Sequence, residues 1–186
     1  MWSQNVQTSF IVTFIGDDRP GLVEQLSAVI EKNKGNWQES RLSQLGGKFA
    51  GLILVALPAD GGPSLEADLA ALAARGISVR VTPTETIADA RGAQATVAAS
   101  APGRGIALSV IGPDRRGIVR EIARALAQRQ INVLEMTSDV QSAPMSAELI
   151  FTARIAAWIP EATNLDELRA SLDEIADHMT LEIDLE

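Results

Sequence analysis

Residues 15–23 read IGDDRPGLV, and residues 111–119 read IGPDRRGIV. Six of the nine positions are identical at a constant offset of 96. Shifting the second half back by 96 aligns the halves without a gap from Phe10/Ile106 to Leu57/Ala153. Within that span Asn36/Asn132 and Glu39/Glu135 are also identical. A repeat of this length signals two copies of one domain, since solenoid units are shorter and number three or more.

Each copy carries the same order of elements. Phe10–Ile15 and Ile106–Ile111 are short apolar runs before a glycine turn and read as strands. Leu22, Val23, Leu26, Val29 and Ile30 then recur at helical spacing, as do Ile118, Val119, Ile122 and Leu126. Pro20 suits the first helical turn, and Gly35 is expected to stop that helix. Two strands follow in each copy, over Trp37–Ser43 and Phe49–Leu57, then Val133–Val140 and Ala147–Ile155, joined by the turns LGGK and QSAPM. A second helix is expected after a Ser64 cap in the first copy, closed by Gly76. In the second copy Asn164 and Glu167 form a capping-box pattern. Each copy ends in strict alternation, Ile77-Val79-Val81 and Leu181-Ile183-Leu185. The order βαββαβ, written twice, predicts an α+β protein: two ferredoxin-like domains in tandem, each with two helices on one face of a four-stranded antiparallel sheet. The expected boundaries are a tail over 1–9, domains over 10–84 and 105–186, and an Ala/Gly/Ser-rich linker over 85–104.

Composition narrows the function. The 186 residues contain no cysteine, which excludes disulfides, thiol chemistry and thiolate metal sites. The formal net charge is −8 and both halves share it, so nothing draws the chain as a whole to nucleic acid. The opening MWSQNVQTSF has no basic stretch and no long apolar run, so no signal peptide is expected. No stretch approaches the roughly 20 apolar residues of a membrane helix. A soluble, cytoplasmic protein is the expectation.

The repeated loop is the candidate site. Gly16 and Gly112 are expected to end a strand at a sharp turn, and Gly21 and Gly117 to open a helix, where glycine lets the backbone approach a ligand closely. The first N–H groups of a helix lack intrahelical partners and favour an anion such as a carboxylate. Asp18 and Asp114 set an opposite charge beside them. Together these features suit a zwitterion, a free amino acid, with Asn36 and Asn132 able to donate and accept. Arg19 and Arg115 complete the candidate set. The same residues also fit a purely local role, with Asp18 and Asp114 as helix N-caps and the glycines serving the turn.

IGDDRPGLV and IGPDRRGIV resemble the β1–α1 loop of the ACT domain family, commonly G-x-D-R-P-G-[LIV]-[LV]. The resemblance covers both repeats, nearly the whole chain, and the tandem arrangement is similar to that of the glycine cleavage system transcriptional repressor family. It implies a regulatory protein without catalytic activity or cofactor. Such a protein binds a small amino acid, glycine or serine first, between domains, through Gly16 to Gly21, Gly112 to Gly117, Asn36 and Asn132. ACT sheets often pair, so it also implies a homodimer. The second copy departs from the motif at Arg116, where the family usually has proline, and Pro113 stands where the first copy has Asp17.

Enzyme readings lack parts. The single histidine, His178, sits near the end of the last helix, where a helix-terminal role is expected. No P-loop, Gly-x-Ser-x-Gly or Gly-x-Gly-x-x-Gly stretch occurs. The two repeats use all the expected elements, so neither a catalytic domain nor a helix-turn-helix is expected among these residues. Among strand aromatics only Phe49 is placed to stack a base, so an RNA-recognition module is rejected. Arg116, Arg120 and Arg124 are spaced by four and are expected to share a helix face, a candidate surface for a protein partner. Any transcriptional role is expected to run through such a partner rather than direct base reading.

Overall fold

The computed structural model describes residues 7–58, 60–84, 102–143 and 147–186. They fall into two compact units, residues 1–91 and 92–186. The first unit is β1 (Gln7–Asp17), α1 (Leu22–Lys32), β2 (Asn36–Leu45), β3 (Lys48–Pro58), α2 (Gly62–Ala70) and β4 (Ile77–Thr84). The second repeats it as β5 (Gly103–Pro113), α3 (Ile118–Gln128), β6 (Asn132–Ser142), β7 (Leu149–Pro160), α4 (Leu165–Met179) and β8 (Glu182–Leu185). The sheets are antiparallel, ordered β2-β3-β1-β4 and β6-β7-β5-β8. This is the ferredoxin-like α+β fold, twice. The expected tail and linker lie mostly outside the described residues. At their described ends β1 already starts at Gln7 and β5 at Gly103. No described helix is long and apolar enough to cross a membrane.

Each unit has its own core. One face of each sheet alternates apolar residues toward the helices: Val12 and Phe14 with Ile53 and Val55, then Leu108 and Val110 with Phe151 and Ile155. The helices answer at their own period. Leu22, Leu26 and Ile30 are buried on α1, as are Ile118, Ile122 and Leu126 on α3. Burying one such side chain contributes roughly 1.5–3 kcal/mol.

Strand pairing corrects the ungapped alignment. Val12 pairs with Ile53 and Leu108 with Ile155, so the offset is 102 across the third strand; Ile15 pairs with Ser78 and Ile111 with Glu182, so it is 104 at the fourth. The six added residues sit in one hairpin. Leu45 and Lys48 flank the two-residue turn Gly46-Gly47, whereas Gln141 and Ile150, the equivalent rung, flank residues 142–149. Of the expected turn QSAPM, residues 144–146 lie outside the described residues. The strand expected over Ala147–Ile155 is therefore Leu149–Pro160. Its alternation runs through Ala153 and Ala157, which are too weakly apolar to mark a strand by sequence. Both copies carry the same bulge after the first residues of the edge strand, between Trp37 and Glu39 and between Val133 and Glu135.

Three cap expectations change. Pro20 lies in the turn before α1, because Gly21 is the N-cap. Gly35 is not the left-handed residue that ends α1; Lys34 is, with φ 58°, and Gln130 repeats it with φ 57°. Gly35 is needed for contact, since a Cβ there would meet Ile30 and Val55 side chains at 2.9 and 3.0 Å. Ser64 lies inside α2, which starts after Gly61. Asn164 does cap α4, accepting from the Asp166 and Glu167 N–H groups at 3.0 and 3.4 Å. His178 falls in the last turn of α4.

Candidate functional site

The two loops begin alike. β1 runs on through Gly16 to Asp17, and β5 through Gly112 to Pro113, so these glycines stand within strands rather than at their ends. Their role is close approach. A Cβ on Gly112 would lie 2.7 Å from Leu181 and 2.8 Å from the Thr180 carbonyl oxygen; one on Gly16 would lie 3.2 Å from Leu22 and 3.4 Å from the Gly76 oxygen. The Asp18 N–H then donates to the Gly47 carbonyl at 3.0 Å, and the Asp114 N–H to the Leu149 carbonyl at 2.8 Å. Gly21 and Gly117 take φ 85° and 100° as helix N-caps, a region that favours glycine. Neither Asp18 nor Asp114 is an N-cap, which removes that local reading of the two carboxylates. Their side chains are exposed, and among the described residues they make no hydrogen bond or ion pair. No side chain caps α1 or α3, so their first N–H groups have no side-chain partner; Asp18 and Asp114 precede those helices by four residues.

The loops then diverge. Arg19 donates through Nη2 to the Arg75 carbonyl at 3.0 Å, Arg75 reaches the Gln25 side chain at 3.4 Å, and Gln25 donates to the Gly21 carbonyl at 3.1 Å. Lys48, opposite Asp17, pairs with it; this hydrogen bond and the positive charge hold the Asp17 carboxyl below the usual carboxylate range. In the second loop Arg115 makes no hydrogen bond or ion pair among the described residues. Pro113 faces Ile150, and beside them lies a depression of about 550 Å³ that also takes in Asp177, Thr180 and Glu182. Sequence reading missed Lys48, Gln25 and Arg75. Lys48 was discoverable from the Gly-Gly turn, which sets it opposite the end of β1; the other two depend on how the helices pack.

Asn36 and Asn132 do not join the loops within a domain. Asn36 pairs with Ala56, Ala56 with Ser9, and Ser9 is seven residues along β1 from Gly16. That is roughly 23 Å at 3.3 Å per residue. Asn132, Trp158 and Gly105 repeat this arrangement relative to Gly112.

The ACT domain model matches residues 8–82, and a second ACT domain model matches residues 106–170. The chain is a tandem ACT-domain protein. Its paired ACT domains are similar along their whole length to a protein of unknown function from Galdieria sulphuraria, at 26% identity, with a TM-score of 0.81 and coverage of 97% of this chain and 98% of that one. They share the fold of a protein described as a candidate glycine cleavage system transcriptional repressor, at 19% identity, with a TM-score of 0.67 and 97% of each chain covered. No curated protein matched the sequence.

The basic stripe is shorter than the spacing implied. Arg116 precedes α3, since Gly117 is the cap, and only Arg120 and Arg124 ride on the helix. Arg124 lies 3.7 Å from Glu121. Arg129 is committed elsewhere, donating to the Ala125 and Glu167 carbonyls at 3.1 and 3.0 Å and so tying α3 to α4.

Proposed function

We propose that this tandem ACT-domain protein is a non-enzymatic, cytoplasmic sensor of a small amino acid, glycine or serine first. The observation that carries this reading is the distance between the loops and the asparagines. A ligand that uses both must take the loop from one domain and the asparagine from another. Its binding then stabilises one packing of domains or chains over the alternatives, which is what a switch requires. The anchoring residues are Gly16, Asp18, Arg19, Gly21 and Asn36, with Gly112, Asp114, Arg115, Gly117 and Asn132. Helix N–H groups without a side-chain cap, and an unpaired carboxylate four residues ahead of the helix, suit a zwitterion. The signal passes to a protein partner through Arg120 and Arg124, with Arg116 ahead of them. The resemblance to a candidate glycine cleavage repressor supports a role in transcriptional control of that system. A ligand-free interaction module is the second reading, favoured in the first domain by the Arg19–Arg75 tie.

A thermal-shift screen against the twenty amino acids tests this. A ligand at a hundred times its Kd stabilises by about 2.7 kcal/mol, and each kcal/mol moves Tm by roughly 2–4 °C at this size. A selective rise with glycine or serine, lost in Asp18→Ala or Asp114→Ala, is expected. A flat panel over a clean melt sinks the sensor and leaves the interaction module.

A further inference from the structure

The two domains finish their outermost strands differently. β2 and β6 hold equivalent edge positions, and each presents one row of side chains on the helix side of its sheet. In the first domain that row sets Ser40 opposite Ile53 and Gln44 opposite Phe49. The second domain sets Met136 and Val140 at the same rungs, opposite Ile155 and Phe151. Both stay in solvent, 36% and 42% exposed, with Val133 at 41% on the same row. Polar side chains are an ordinary way to keep an edge strand unpartnered. The second domain gives them up on this row, along a regular stretch from Glu135, past the bulge, to Ser142.

The other row and the backbone add two more features. On the outer face, turned away from the helices, β6 carries Glu135, Thr137 and Asp139, where the first domain has Glu39, Arg41 and Ser43. Glu182, Asp184 and Glu186 on the far side of that face bring its carboxylates to five, against Arg154 between them. The Asp139 carbonyl oxygen accepts from the Thr152 hydroxyl on β7 at 3.5 Å. The next N–H, that of Val140, is turned the other way and donates to the Asp139 carboxylate at 2.9 Å. The alternation of an antiparallel ladder then directs the backbone N–H and C=O groups of Met136, Ser138 and Val140 toward the open edge.

We infer that β6 takes on an extended segment of a partner protein as a further strand, one whose side chains alternate apolar and basic. Strand addition draws affinity from main-chain hydrogen bonds and specificity from alternate side chains. The incoming residues over Met136 and Val140 are apolar, and those beside Glu135 and Asp139 are Lys or Arg. A cation there draws the Asp139 carboxylate off the Val140 N–H and opens that donor to the new strand. Two other occupants answer the edge less well. A second β6 would set one acidic row against another, and like charges opposed across strands are destabilising. A β2 strand, of whichever chain, brings Ser40 and Gln44 to the apolar row and Glu39 with Arg41 to the acidic one. The surface works whether or not the loops hold an amino acid.

Fluorescence anisotropy on the full chain tests this with three labelled eight-residue peptides. One alternates valine and lysine, one alternates valine and glutamate, and one is the lysine peptide with its two central valines replaced by proline. The lysine peptide is expected to bind roughly tenfold or more tightly than the other two, and more weakly as salt rises. Met136→Ser with Val140→Gln, which installs the first domain's residues, should weaken it by about tenfold. Asp139→Lys should shrink the preference for lysine over glutamate by a similar factor, a ratio that a change in folded fraction does not move. No binding of the lysine peptide, equal binding of all three, or either variant matching the wild type overturns the inference. So does a wild-type dimer in sedimentation equilibrium that Met136→Ser with Val140→Gln dissolves, which makes a second copy the occupant.

Discussion

In the first domain Arg19 reaches the Arg75 carbonyl and Lys48 covers Asp17, while in the second Arg115 makes no such tie among the described residues and Ile150 faces Pro113. The backbone beneath is the same: glycine N-caps at equivalent positions, a strand that passes through a glycine, and the same bulge at the start of the edge strand. The comparison teaches that the motif residues fix the turn, and that residues outside the motif decide whether the loop is braced. The outer faces repeat the lesson, with Leu52 exchanged for Arg154 on one strand framework.

The comparison breaks most easily at the cores. Leu26→Ala and Ile122→Ala each remove a fully buried side chain from equivalent helix positions. Each is expected to cost its own domain about 2–5 kcal/mol. Hydrogen exchange resolved by peptide should show protection lost within residues 7–84 for the first and within 102–186 for the second. Loss spread equally over both domains would mean that the two cores unfold as one.

A smaller effect separates the two strand glycines. Gly112→Ala drives a Cβ to within 2.8 Å of a carbonyl oxygen, whereas Gly16→Ala meets its nearest atom, a leucine methyl, at 3.2 Å. Overpacking of the first kind typically costs 1–3 kcal/mol, so about 2 kcal/mol is expected for Gly112→Ala. Gly16→Ala should cost clearly less. Urea titration of the two variants checks the order, and equal midpoints would erase this difference between the loops.

The smallest effect is on pH dependence. Asp17 is held below its ordinary range by Lys48, so its contribution is present above the unfolded carboxyl pKa. It is lost as pH falls through the lower folded value. Lys48→Met should therefore lower first-domain stability slightly at neutral pH. The gap from wild type should close on acidification below about pH 4. The second domain, with Pro113 and Ile150 at this rung, has no equivalent contribution to lose. A gap that stays constant with pH would remove the ion pair as its cause.

Much of this was legible in the sequence, for identifiable reasons. Leucines and isoleucines at helical spacing marked α1 and α3, alternation marked β4 and β8, and Asn164 marked the start of α4, because each signal is local. The hairpin insertion was not legible. The identities at an offset of 96 all lie before it; those beyond it, Phe49/Phe151, Ile53/Ile155 and Pro58/Pro160, are scattered, and alanines in β7 carry too little hydrophobic contrast to show a shift of six. The left-handed ends of α1 and α3 fall on Lys34 and Gln130, where sequence favours the glycine one position later in the first copy. Of the candidate site, the loop glycines and aspartates lie together, but the asparagines stand at the far end of each sheet, which only strand register reveals.

The shared bulge has one more consequence. β2 and β6 are edge strands, and β6 is exposed along its whole length, with Val133, Leu134, Met136 and Val140 among its residues. Such an edge is a template on which further chains can add without limit. The extra residues at Gln38 and Leu134 break the hydrogen-bonding rhythm near one end of each edge, and Glu135 and Asp139 add like charge along β6. The irregularity that both copies keep is a safeguard against fibre growth, written into the strand most at risk.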